Sequence, residues 1–152
     1  MAKSKAHSLT GRITEVLMYR AFRNVKRNRG AAGIDKVSIT MFEANLEQNV
    51  LALMRDLKTG AFQPRPLRRV HIPKGPGQTR PLGIPAVRDR VAQEVLRQLL
   101  SPLFERLFHD DSYGFRPGRN CHQAVQRVLE LHRQGHVYVL DADIKGFLDH
   151  AS

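Results

Sequence analysis

The chain has 152 residues, a formal net charge of +11 and 41% hydrophobic residues. That length and apolar share suit about one domain with a real core and exclude wholesale disorder. A single cysteine, Cys121, excludes an internal disulfide framework and a multi-cysteine zinc site, and it points to a reducing, cytoplasmic compartment.

The basic start, residues 1–7, leads into no apolar segment of the secretory type, and no apolar run approaches the ~18 residues of a membrane span. The charge favours polyanionic partners, nucleic acid above all. The first helical period covers residues 12–28, with Ile13, Val16, Leu17, Tyr19, Ala21 and Phe22 as its apolar stripe. Lys26, Arg27 and Arg29 crowd its end, where cations suit the helix dipole, and Gly30-Ala31-Ala32-Gly33 breaks the pattern. Ser38 or Thr40 can cap a second helix over residues 39–58, whose Phe42, Leu46, Val50, Leu53 and Leu57 form a core stripe and whose stop is Gly60. Residues 67–72 alternate like a strand, residues 73–77 form a Pro/Gly turn, and residues 79–82 return, so the spacing predicts a two-stranded hairpin. Asp89 is expected to cap a long helix to Phe108, with Val91, Val95, Leu96, Leu99, Leu100, Leu103 and Leu107 on its apolar face and a kink at Pro102. A loop over residues 111–118, a helix over 122–134 and a buried strand over 136–144 follow, and Gly146-Phe147-Leu148 opens a further element. Such a strand needs neighbours on both sides, so the sequence reads as cut inside a domain.

Three places could carry chemistry. Asp141 and Asp143 share one face of the expected strand, an arrangement that suits magnesium with water and phosphates and equally suits strand-end acids in solvent. Arg65, Arg68, Arg69, Lys74, Arg80, Arg88 and Arg90 crowd the hairpin region with Asp89 as the one acid among them. Lys74 in its Pro/Gly-framed turn and Arg80 across the hairpin could grip one polyphosphate, or the turn is merely basic and solvated. In Tyr113-Gly-Phe-Arg-Pro-Gly118, the rings either stack on bases or plug the core, and Arg116 is the better contact candidate. The seven histidines lack ligand spacing, which predicts no zinc site, and Cys121 reads as a buried small hydrophobe.

The order of motifs is more specific than any one of them. Gly33-Ile-Asp35 is followed by Arg68-Arg-Val-His-Ile-Pro-Lys74 and then by Arg80-Pro-Leu-Gly-Ile-Pro85 with Asp89-Arg-Val-Ala-Gln93. Next come Ser112-Tyr-Gly-Phe-Arg-Pro-Gly-Arg119 with His122-Gln-Ala124, and Asp141-Ala-Asp-Ile-Lys-Gly-Phe147. Over about residues 10–152 this series closely resembles the amino-terminal part of bacterial group II intron-encoded reverse transcriptases, the reverse transcriptase–maturase proteins.

The resemblance implies an α+β fold: an amino-terminal extension over residues 1–35, fingers over 36–135 and the start of the palm over 136–152 of a right-hand polymerase, truncated. It implies that Lys74 and Arg80 grip the triphosphate of an incoming deoxynucleotide and that Arg116 lies with its loop near template and nucleotide. Asp143 would be the first catalytic aspartate, binding Mg2+ together with the Ile144 backbone carbonyl, while Asp141 supports it. RNA template and DNA primer would be the partners. The family's later Tyr-Ala-Asp-Asp carboxylates are absent from this sequence, so the chain alone is expected to be inactive. Leu148 stands where the family has the Phe associated with excluding a ribose 2′-hydroxyl. The alternatives are a non-catalytic module that binds intron RNA through the basic amino-terminal half, and a decayed remnant.

Overall fold

The structure is a computed structural model and describes residues 9–144. The fold is α+β, with five α-helices and one two-stranded antiparallel sheet among the described residues. Contacts divide the chain into two compact units, residues 1–104 and residues 105–152.

In the first unit, a short 3-10 turn, Leu9–Arg12, precedes α1, Glu15–Arg27. Thr14 starts α1 by accepting the Leu17 amide at 3.3 Å. Met18, Ala21, Phe22 and Val25 bury one face, while Val16, expected in the stripe, is exposed on the other. Arg20, Arg23 and Arg27 continue Val16's side of the helix at spacings of three and four, opposite the buried face.

The second expected helix breaks in two: α2, Ile39–Ala44, capped by Ser38, and α3, Leu46–Thr59, closed by Gly60 in the left-handed region at φ 74°. The break falls at Asn45, and the Asn49 side-chain amide donates to the freed Phe42 carbonyl at 2.9 Å. This bend sets Phe42 against Phe22, their ring centroids 5.7 Å apart. α4, Val87–Phe104, lies against α1 and closes the core with Val87, Val91, Ala92 and Val95, while Val50 and Leu53 come from α3.

The hairpin consists of β1, Arg68–Gly75, and β2, Gln78–Ile84, joined by Pro76 and Gly77, the latter at φ 69°. Pairs run from Arg68 with Ile84 to Ile72 with Arg80 and Pro73 with Thr79. Both strands are edges, which is why Pro73 and Pro81 fit in the ladder.

Three consecutive residues at the start of α4 hold the loops around it. Asp89 is not the expected N-cap: it lies in the first turn and is 3% exposed. Its Oδ2 accepts the Arg65 amide at 2.8 Å, so it fixes the entry to the hairpin. Arg88 reaches Asp56 at 2.7 Å and the Gln63 carbonyl at 3.3 Å, and its guanidinium lies 4.7 Å from the centroid of the Phe62 ring. Arg90 donates to the Ala31 carbonyl at 2.6 Å. Its burial lowers its pKa from the ordinary value, with Asp35 acting the other way. α4 ends at Phe104 rather than at Phe108, with Pro102 in its last turn. Leu96, Leu103 and Leu107, expected on its apolar face, are exposed.

In the second unit, α5, Cys121–Arg133, starts at a reciprocal cap between Asn120 and Gln123. The expected buried strand over residues 136–144 is not formed: the segment has no ladder partner among the described residues. Val137, Tyr138, Val139, Leu140 and Ile144 are exposed. Gly146-Phe147-Leu148 lies outside the described residues.

Gly33 rests on the backbone of residues 85–86, where a Cβ would stand 2.6 Å from both the Ala86 nitrogen and its Cα. Backbone cannot yield as a flexible side chain can. Gly33→Ala is therefore expected to lose about 1–3 kcal/mol in chemical denaturation. An unchanged midpoint and slope would show that the loop relaxes freely.

Candidate functional site

Two of the expected contact residues, Lys74 and Arg80, lie on the hairpin. Both are exposed, and neither side chain has an intrachain hydrogen bond or ion pair among the described residues. Arg80 stands directly across from Ile72. Lys74 falls in the one irregularity of the ladder, between Pro73 and Gly75, and has no paired Cα. A bulge frees a side chain from the two-residue alternation and re-aims it. Both cations therefore come near the turn, which suits a phosphate chain better than a sheet face does.

The other basic residues of this region divide by role. Arg65 pairs with Asp35 at 2.5 Å, Arg88 with Asp56, and Arg90 with the loop carbonyl at Ala31. These three serve the fold. Arg69 is exposed across from Gly83, three rungs from the pair of Ile72 with Arg80, while Arg68 is half-buried with a buried Nε that has no partner. Sequence reasoning could not separate these roles, because all seven cations look alike until their neighbours are known.

Arg116 lies in the second unit and faces inward, its side chain 7% exposed. Its Nε and Nη2 donate to Glu105 Oε1 at 3.0 and 2.7 Å. Nη1 donates to the carbonyls of His109 and Ser112 at 2.8 and 2.9 Å, and the guanidinium carbon lies 5.2 Å from the Phe108 ring centroid. All of these groups belong to one loop, so Arg116 sets its shape. Arg119 covers Tyr113 at 5.5 Å. Arg127 holds Asp111 at 2.9 Å, and that hydrogen bond above all keeps the Asp111 carboxyl below its ordinary range. Phe115 does not plug a core: it is fully exposed at φ 55°, a sparsely populated backbone conformation for an aromatic residue.

Cys121 is exposed at the start of α5 rather than buried, because the described residues of this unit bury no side chain of that helix. Asp141, Asp143 and Ile144 lie in the exposed segment at the end of the described residues. No group of three His, Cys, Asp or Glu side chains converges among the described residues. Two neighbouring carboxylates and a carbonyl can supply part of a magnesium shell and do not by themselves fix two ions. No helix among the described residues is long and apolar enough to cross a membrane.

The family described as reverse transcriptase (RNA-dependent DNA polymerase) matches residues 72–152, more than half of the chain. The chain belongs to the reverse transcriptase family. It is 42% identical over 121 residues to Protein YkfC of Escherichia coli, a match covering 77% of this chain and 32% of that protein. It is 34% identical over 134 residues to the group II intron-encoded protein LtrA of Lactococcus lactis, covering 88% of this chain and 22% of LtrA. Nuclear intron maturase 1, mitochondrial, of Arabidopsis thaliana is 41% identical over 66 residues, 43% of this chain and 9% of the maturase. The chain thus spans a third or less of the length of these relatives, two of which are named as an intron-encoded protein and an intron maturase. The reverse transcriptase match takes in Lys74, Arg80, the loop around Arg116 and residues 141–144, while Gly33-Ile-Asp35 precedes it.

Arg116→Lys keeps the charge and loses the planar fork. We expect the loop to open locally by about 1–3 kcal/mol, read as faster amide exchange at residues 109–119 with exchange in α4 unchanged. Equal exchange in the two proteins would show that the fork does not hold the loop.

Proposed function

We propose that this chain is the template- and nucleotide-binding part of an RNA-directed DNA polymerase of the group II intron type. The observation that carries the reading is the pair Lys74 and Arg80: side chains without partners among the described residues, near one turn, in a region where Arg65, Arg88 and Arg90 are committed to the fold. Lys74 acts as a point charge and Arg80 as a fork on the triphosphate of an incoming deoxynucleotide. Residues 1–35 serve as the amino-terminal extension, 36–135 as the fingers, and residues from 136 onward as the start of the palm. The loop fixed by Arg116 lies toward RNA template and nucleotide, so Arg116 acts by holding that loop as well as through its charge. Asp143, with the Ile144 carbonyl, contributes donors to a Mg2+ site that needs further carboxylates, and the bound ion would supply charge neutralisation at the phosphates. RNA template and DNA primer are the macromolecular partners.

A second reading has its own support. Residues 1–104 carry 19 Lys and Arg against seven Asp and Glu, a net of +12, whereas residues 105–152 carry six against seven. The outward face of α1 presents Arg20, Arg23 and Arg27 without partners among the described residues. A basic face of this kind suits structured intron RNA held through its phosphates, with no catalysis required.

Titration of the isotope-labelled chain with a deoxynucleoside triphosphate separates the two. The polymerase reading expects amide shifts centred on residues 72–80, lost in Lys74→Ala/Arg80→Ala, with RNA affinity changed less than about threefold. The module reading expects no such shifts, weaker RNA binding in the double variant and a shallower dependence on salt.

A further inference from the structure

Away from the hairpin, the end of α1 and the face of α4 enclose a cleft of about 350 Å3, lined by Val25, Asn28, Arg90, Gln93, Glu94 and Arg97. Its volume lies at the lower end of ligand pockets. Its walls hold unused hydrogen-bonding capacity. The side-chain amides of Asn28 and Gln93 have no intrachain partner among the described residues, and Arg90 Nε is buried without an acceptor.

One wall is also rigid and flat. Arg97 donates from Nε to Glu94 Oε2 and from Nη2 to Glu94 Oε1, both at 2.7 Å, which holds its guanidinium in one plane. Glu94 is fixed in turn by Asn24 at 2.7 Å and Gln98 at 3.1 Å. The Arg97 hydrogen bond, first among the causes, keeps the Glu94 carboxyl below its ordinary range, so the fork is intact at neutral pH. A locked guanidinium plane is a stacking surface for a base.

The donor set distinguishes the ligand. A phosphate accepts only, so it could take donors from Asn28, Gln93 and Arg90 but would leave both carboxamide oxygens unpaired. A carboxamide offers a donor and an acceptor side by side, as the edge of a nucleobase requires. Phosphates suit the surface outside, where Arg27 and Arg29 flank Asn28 in sequence, are exposed, and have side chains without partners among the described residues, in a unit with a net charge of +12. RNA is read in this way at bases that are unpaired and turned out of a helix.

We propose that this cleft takes one unpaired nucleotide of a bound RNA, with Asn28 and Gln93 reading the edge of its base and Arg97 stacked on its face. The proposal rests on the reading above only in taking RNA as the polyanion. It is independent of any role for Lys74 and Arg80, and it adds a site of base selection to a surface otherwise suited to phosphates.

The test uses the full chain and two RNA stems of the same sequence, one fully paired and one with a single bulged 2-aminopurine. The expected result is about 5- to 100-fold tighter binding of the bulged stem, with a change in 2-aminopurine fluorescence on binding. Asn28→Ala/Gln93→Ala removes the preference but retains paired-stem binding and melting temperature, whereas Lys74→Ala/Arg80→Ala retains the preference. Equal affinity for the two stems, or a preference that survives in the Asn28/Gln93 variant, overturns the cleft proposal and leaves RNA binding standing. Failure of the chain to bind either stem overturns both. Displacement of a bulged stem by an acidic peptide but not by a free nucleoside would assign the cleft to a protein partner instead and overturn the proposal.

Discussion

A buried carboxylate organises the first unit. Asp89 sits in the opening turn of α4, where free amides and the helix dipole favour a negative charge. Its one hydrogen bond, from the Arg65 amide, comes from the chain just before the hairpin. Such a bond to a charged acceptor is worth about 1.5–3 kcal/mol. The Asp89 Oδ1 is buried without a partner, so loss of the bond from the Arg65 backbone amide would leave the whole carboxylate unsatisfied. Arg88 and Arg90 on either side tie the end of α3 and the Gly30–Gly33 loop to the same turn. The hairpin itself buries little and makes its ladder only with itself. Its place is therefore set at its base, by side chains from α4.

This arrangement separates two uses of arginine within one stretch of sequence. Cations placed against carboxylates or carbonyls give the fold its joints. Those left on the hairpin and on the outer face of α1 give the first unit its field, while the second unit is close to neutral. The positive charge that would favour a polyanion thus belongs to the first unit. The second unit offers a loop shaped around Arg116 and an apolar stretch over residues 137–140.

Much of this was legible in the sequence, and the failures have physical causes. The period of α1, the stop at Gly60, the hairpin and the order of the family motifs all depend on local pattern, and the first three are present in the structure. The break at Asn45 was hidden, because the apolar spacing runs through it and only the Asn49 bond to the Phe42 carbonyl marks it. Asp before an apolar run usually caps a helix, whereas the partner of Asp89 lies 24 residues earlier. Phe115 and Cys121 are core residues by type, yet the second unit has no core among the described residues to receive them. Residues 136–144 have the composition of a strand, but a strand exists only with a ladder partner. The inward turn of Arg116 depends on Glu105 and two carbonyls, which no spacing rule connects.

Asp89 fixes the base of the hairpin. Native-state amide exchange at Arg65 tests it directly, since that amide has no other acceptor in the structure. The account predicts protection at Arg65 comparable to that of Val91 and Val95 in α4, far above that of residues 75–78 at the hairpin tip. An Arg65 amide that exchanges as fast as the tip, with α4 still protected, would contradict it.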